Sequence, residues 1–213
     1  MRRTLCAMCI ALLSLAMACQ QVKEKSGEKS KESPEEEGAG GPKKGTVETT
    51  KSPAKKADDG MDKVEIKTTQ VAGHIYMLEG AGGNIGVSAG EDGVVLVDDQ
   101  FAPLVPKILA AVKVLGKGEP EYVINTHWHG DHVGGNVELG GKASIVAHEN
   151  VRKRMSTDHN IRGEVVEATP APGLPVVTYQ QQVSLHMNGE EIRLVHFPRG
   201  HTDGDTVVFF TGA

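Results

Sequence analysis

Four side chains able to bind a metal ion stand close together in the run Thr126-His127-Trp128-His129-Gly130-Asp131-His132. His127 and His129 are two residues apart, so on extended backbone both imidazoles point to one side and can share one ion. Gly130 is expected to let the chain turn sharply, bringing Asp131 and His132 round to face a second ion beside the first. Neutral imidazole and carboxylate suit zinc, with iron or manganese as the other metals such ligands accept. A single histidine is ordinarily a surface or core residue, but four ligand-type groups this close after a strand are read as a metal site. A fifth is His201, in the loop Gly200-His201-Thr202-Asp203-Gly204-Asp205. It can complete a three-histidine site with His127 and His129 and leave a fourth position for water, as in catalytic rather than structural zinc sites.

Cysteine usage narrows the chemistry. The three cysteines, Cys6, Cys9 and Cys19, all lie near the N-terminus. Residues 62–213 therefore hold no disulfide, iron–sulfur cluster, zinc finger or thiolate nucleophile, and any metal there must be bound by His and carboxylate. Charge narrows the partners. The 213-residue chain carries a net −5, and its acidic residues outnumber the basic ones in residues 62–213. No basic cluster is present there, so nucleic acid is excluded as a partner and a small-molecule substrate is expected.

The N-terminus reads as an address. Arg2 and Arg3 precede an apolar stretch, Leu5 to Ala18, that is short for a membrane span. It ends Leu15-Ala16-Met17-Ala18-Cys19, which resembles a bacterial lipobox with Leu one place early. Residues 1–18 are thus expected to be a lipoprotein-type signal and Cys19 the lipidated first residue of the mature chain. Gln20 points to the outer membrane rather than retention at the inner one. Residues 19–61 are rich in Lys, Glu, Ser, Gly and Pro and contain no aromatic residue. Such a segment cannot bury enough apolar surface to offset the entropy of ordering, and is expected to be a disordered, mixed-charge tether. The reading is an exported domain, residues 62–213, anchored in the cell envelope.

Short apolar runs bounded by glycine predict strands at 74–78, 84–88 and 93–98. Residues 103–115 show helical spacing, with Leu104, Val105, Ile108, Leu109 and Val112 apolar and Lys107 and Lys113 outside. Strands are expected at 122–125 and 144–147, a helix at 148–155, and loop over 157–175. Further strands are predicted at 176–179, 183–187, 192–197 and 206–210, with Asn188-Gly189 as a hairpin turn. This order implies an α+β fold of packed sheets with helices outside.

Three segments in order, GGNIGVSAGEDGVVLVDDQF, THWHGDH and GHTDGD, resemble the metallo-β-lactamase-fold hydrolases. The resemblance runs from about His74 to the C-terminus. It implies an αββα sandwich with metals at one edge between the sheets. Carried over, His127, His129 and His201 match the ligands of the first metal, and Asp131 and His132 match two ligands of the second. Asp98, after the strand ending at Val97, matches an acidic position that supports a ligand from behind; Asp99 competes for that role, since adjacent strand residues point oppositely. Asp205 stands where relatives have Asn or His and is read as a supporting residue. Family members continue past the strand matching 206–210 and supply a bridging Asp or Cys and a further His. The chain is therefore expected to be the N-terminal part of the sandwich, incomplete at its C-terminus.

The expected activity is zinc-dependent hydrolysis of an ester, thioester, lactone or lactam-like substrate by metal-activated hydroxide, with one or two ions and Asp131 holding the nucleophile. Two alternatives are a mononuclear iron oxidoreductase acting on sulfur compounds and a truncated, inactive metal-binding remnant. His74, His148, His159, His186 and His196 are read as structural or solvated. Trp128 is read as a pocket wall or loop anchor. Gly80-Ala81-Gly82-Gly83 lacks the Lys and helix of a phosphate-binding loop.

Overall fold

The computed structural model describes residues 60–115, 118–161 and 163–213. The signal at 1–18, Cys19 and nearly all of the 19–61 tether lie outside the described residues. Met61 already packs against the core, in a short 3-10 turn, Met61–Lys63. Lys107 fastens this segment by donating to the carbonyls of Met61, Asp62 and Val64.

A seven-stranded sheet forms the centre. Its strands are β1 (Lys67–Ala72), β2 (Ile75–Glu79), β3 (Ile85–Gly90), β4 (Gly93–Val97), β5 (Pro120–Asn125), β6 (Ser144–His148) and β9 (Val177–Tyr179), adjacent in that order. The first four pair antiparallel, whereas β4, β5, β6 and β9 run parallel. Parallel neighbours need crossovers, which α1 (Val105–Val114) supplies between β4 and β5. Pro106 begins α1, and Val105, Ile108 and Val112 form its buried face.

Period-two alternation divides the parallel strands between two cores. Val94, Leu96, Val123 and Ile145 face α1. Val95, Ile124 and Val146 face the other way, onto Met187, Ile192 and Leu194 of a second sheet. That sheet is a three-stranded meander of β10 (Gln182–Met187), β11 (Glu190–His196) and β12 (Thr206–Phe210). Its opposite face shows Val207 and Phe209 to solvent at 42% and 40%. Helix α4 (Glu149–Met155) buries Val151 and Met155 in a third cluster with Val133 and Ala147.

Both edges of the sandwich are pinned by polar contacts. At one, the β10–β11 turn docks on the β3–β4 turn: Asp92 and Asn188 exchange backbone-to-side-chain hydrogen bonds of 3.1 and 2.6 Å. Asn188 and Gly189 both have positive φ, 55° and 78°, as the predicted hairpin turn requires. At the other, Thr206 N–H donates to the Thr126 carbonyl at 2.8 Å. Tyr179 and Thr206 share a hydroxyl contact of 2.5 Å, and the stacked rings of His148 and His196 bridge the sheets at 3.6 Å.

The structure adds elements the sequence pattern conceals. β1 is largely exposed edge. The region expected to be loop carries a small hairpin, β7 (His159–Ile161) with β8 (Glu164–Val166). A four-residue helix, α2 (Gly130–Val133), carries the end of the histidine motif, and another, α3 (Asn136–Leu139), follows it.

Candidate metal centre

The site forms where β5 ends. The chain bends through residues 126–128 as it leaves the strand, rather than staying extended as the two-residue spacing suggests, and His129, at φ −71° and ψ 145°, is the N-cap of α2. Helix α2 then turns Asp131 and His132 back beside the first two histidines. The turn does not depend on glycine at Gly130: its φ is not positive and a Cβ there would meet nothing within 4 Å. The change of direction comes from the bend at 126–128 together with the start of the helix.

His201 arrives from the loop between β11 and β12. One ligand atom each from His127, His129 and His201 lies within 4.8 Å of the others. His201 Nε2 and His129 Nδ1 are 3.0 Å apart. The His132 ring centroid is 4.0 Å from that of His127, and Asp131 Oδ2 lies 3.4 Å from His132 Nε2. All five ligand candidates are thus in one place, as a three-histidine cluster flanked by an Asp–His pair.

Asp98 organises the imidazoles. Its φ of 66° takes it out of the strand geometry of β4, a conformation that costs a non-glycine residue about 1 kcal/mol or more. Its carboxylate accepts from Thr126 N–H and Thr126 Oγ1, both at 2.7 Å, and from His132 Nδ1 at 2.7 Å. Because the Thr126 hydroxyl donates to Asp98, it accepts from His127 Nδ1, 3.1 Å away. As acceptor, Asp98 therefore favours the tautomer with hydrogen on Nδ1 in both rings, one directly and one through Thr126, and leaves both Nε2 lone pairs for an ion. The Thr126 hydroxyl went unassigned in the sequence reading. Its motif position marks it, but its role depends on an aspartate distant in the chain.

Asp99 goes elsewhere. Its Oδ1 accepts from Gly135 N–H at 2.8 Å, and its own N–H donates to the His132 carbonyl at 3.0 Å. It secures α2 from behind, and burial pushes its carboxyl well above the usual carboxylate range. Asp205 holds the His201 loop: its carboxylate accepts from the N–H groups of His201 and Thr202 and from the Thr202 hydroxyl. Burial raises its pKa, but these hydrogen bonds outweigh that and hold it below the ordinary value.

Burial, followed by the charge of neighbouring imidazoles, holds His127 and His129 below the usual histidine value. Both rings are neutral at pH 7, as a metal ligand must be. His132 is also opposed by burial, but the Asp98 hydrogen bond and the Asp98 and Asp131 charges raise it overall. The donor set of neutral imidazoles with one carboxylate alongside fits zinc.

Clefts adjoin the cluster on two sides. One of about 340 Å³ is lined by His127, Phe197, His201 and Val207. The other, about 420 Å³, is lined by Trp128, Gly130, Val133, Met155, His159 and Pro170. Trp128 stands edge-on to His129 at 4.5 Å and so forms a wall between cluster and cleft.

The family description "Metallo-beta-lactamase superfamily" matches residues 78–213, which include every ligand candidate and all strands from β3 onward. The chain belongs to the metallo-beta-lactamase superfamily. Solved members share the architecture. The class B3 di-zinc metallo-beta-lactamase from an Alaskan soil metagenome aligns with TM-score 0.60 at 19% identity, covering 68% of this chain and 57% of its own. The metallo-beta-lactamase of Elizabethkingia meningoseptica aligns with TM-score 0.60 at 21% identity, covering 68% and 56%. The beta-lactamase of Chitinophaga pinensis aligns with TM-score 0.60 at 21% identity, covering 68% and 57%. The chain thus spans just over half the length of these metallo-beta-lactamase structures.

Proposed function

We propose that this domain is a zinc-dependent hydrolase of esters, thioesters, lactones or lactam-like substrates. The observation that carries the reading is the convergence of His127, His129 and His201 within 4.8 Å beside Asp131 and His132. His127, His129 and His201 would hold the first ion, and Asp131 and His132 would contribute to a second. Zinc bound there supplies Lewis acidity towards a carbonyl oxygen and lowers the pKa of water. Asp131, with 40% of its side chain exposed, orients the attacking water and accepts its proton. Asp98 and Thr126 keep the His132 and His127 lone pairs directed inward, and Asp205 keeps His201 in reach. Trp128, Val133 and Met155 offer an apolar wall to an uncharged acyl group.

Purified, zinc-loaded protein assayed on representatives of all four substrate classes tests the proposal. Hydrolysis of at least one, abolished by His127→Ala, is the expected result. No hydrolysis of any would overturn it. Stoichiometric iron with oxygen consumption on a sulfur compound would replace it with an oxidoreductase.

We further propose that the protein is exported and lipid-anchored to the cell envelope through Cys19, on the strength of the N-terminal sequence. Fractionation tests this: wild-type protein is expected with membranes and Cys19→Ser in the soluble fraction. A Cys19→Ser protein that stays with membranes would overturn the anchor.

A further inference from the structure

The loop Gly80-Ala81-Gly82-Gly83 joins β2 to β3 and lies against the Asp–His pair. A Cβ on Gly83 would overlap the His132 ring. A Cβ on Gly82 would stand 2.7 Å from Asp131 Cβ and 3.0 Å from the Phe101 ring. Gly82 also has φ +78°, a conformation that favours glycine. Asp131 and His132 therefore rest directly on this loop's backbone, and its position sets theirs.

The loop belongs to no helix or strand, so its backbone groups need other partners. Gln100 provides them. Its side-chain Oε1 accepts from Ala81 N–H at 3.3 Å, and its Nε2 donates to the Gly83 carbonyl. The residue is 1% exposed. Its φ of 56° turns it out of line with β4. Its carbonyl packs on Gly134 at the end of α2, where a Cβ would approach to 2.6 Å. Gln100 thus grips the loop with its side chain and abuts the helix carrying Asp131 and His132 with its backbone. An apolar side chain of similar size would fill the same space but leave the two half-buried loop groups without their protein partner, freeing the loop to shift.

We infer that Gln100 is a positioning residue for the second cation: it holds the Gly80–Gly83 loop where Asp131 and His132 can share one ion. This rests on the proposed reading that the pair takes a second ion.

The test is zinc titration of the metal-free full-length protein against a competing chelator, comparing wild type with Gln100→Met, Gln100→Glu and Gly83→Ala. In Gln100→Met and Gly83→Ala the second zinc equivalent should bind about tenfold more weakly or worse, the usual effect of losing a group that orients a ligand. The first equivalent should stay within about twofold of wild type, since His129 and His201 lie against each other and Thr126 and Asp98, not the loop, support His127. Gln100→Glu keeps the acceptor for Ala81 and should fall between wild type and Gln100→Met. In the metal-free state, the ring-nitrogen resonances of His132 should move in Gln100→Met while those of His201 stay. Should Gln100→Met fail to fold, Gln100→Glu carries the comparison. Wild-type binding of both equivalents by the variants overturns the inference, as does equal weakening of both. A wild-type protein that takes up only one equivalent overturns the two-ion reading and this inference together.

Discussion

Asp98 Oδ2 lies 2.7 Å from His132 Nδ1, and the same oxygen accepts the Thr126 hydroxyl at 2.7 Å. One carboxylate so determines the tautomer of two neighbouring imidazoles, whose ring centroids are 4.0 Å apart. In the other tautomer the His132 Nδ1 lone pair would face the carboxylate oxygen with no hydrogen between them, so this arrangement disfavours it.

Asp98→Asn should lower zinc affinity about 10- to 100-fold, the range seen when an outer partner of a ligating histidine is lost. The amide can present a donor to His132 Nδ1 and favour the tautomer whose lone pair faces away from the ion. Chelator competition measures the change. Wild-type affinity in Asp98→Asn would show that ring orientation has another source.

Zinc should raise the melting temperature of the wild-type protein. At free zinc of about 100 times Kd the linkage gain is roughly 2.7 kcal/mol. His127→Ala should abolish most of that gain, because His127 is 8% exposed and central to the cluster. Scans with and without zinc check both statements, and a His127→Ala protein stabilised as much as wild type would place the ion elsewhere.

Asp205→Ala should loosen the His201 loop, since its carboxylate gathers the N–H groups of His201 and Thr202. First-site zinc affinity is expected to drop about tenfold or more, with Asp205→Asn milder because its side-chain oxygen can still accept. Far-ultraviolet circular dichroism should remain that of wild type, separating loss of the loop from loss of the fold.

Acid should weaken the sandwich at His148. Burial, then the neighbouring His196, hold its pKa below the ordinary 6.5. A histidine with a depressed folded-state value binds protons more readily when unfolded. Its contribution is therefore present above about pH 6.5 and is lost as pH falls through the folded-state value. His148 Nδ1 also accepts from Asn150 N–H at the start of α4, a bond that protonation would remove. Urea unfolding of the metal-free protein between pH 8 and 5 should show a smaller acid loss in His148→Asn, which keeps a capping side chain. Equal slopes for both proteins would assign the loss to other groups.

Much of the fold was legible where information is local. The α1 stripe of Val105, Ile108 and Val112 repeats at helical spacing, and Asn188-Gly189 carries its own turn chemistry. β1 escaped because an edge strand exposed on both sides has no alternation to read. α2 and α3 escaped because four residues are too few to display a helical period. The β7–β8 hairpin lies in a stretch whose prolines and glycines read as loop.

The chemistry of the candidate centre is written locally in the chain. Contiguity brings His127, His129, Asp131 and His132 together whatever the rest of the chain does, and confining cysteine to the N-terminus leaves only imidazole and carboxylate to bind a metal. Which groups hold those candidate ligands in place depends on long-range packing. Parallel pairing of β4 with β5 sets Asp98 against Thr126 and His132, while Asp99 turns to Gly135. Docking of β12 beside the end of β5 brings His201 to His129. These contacts join residues far apart in the chain, and no local pattern encodes them; they exist because two sheets bury their apolar faces against each other and align what lies at their edges.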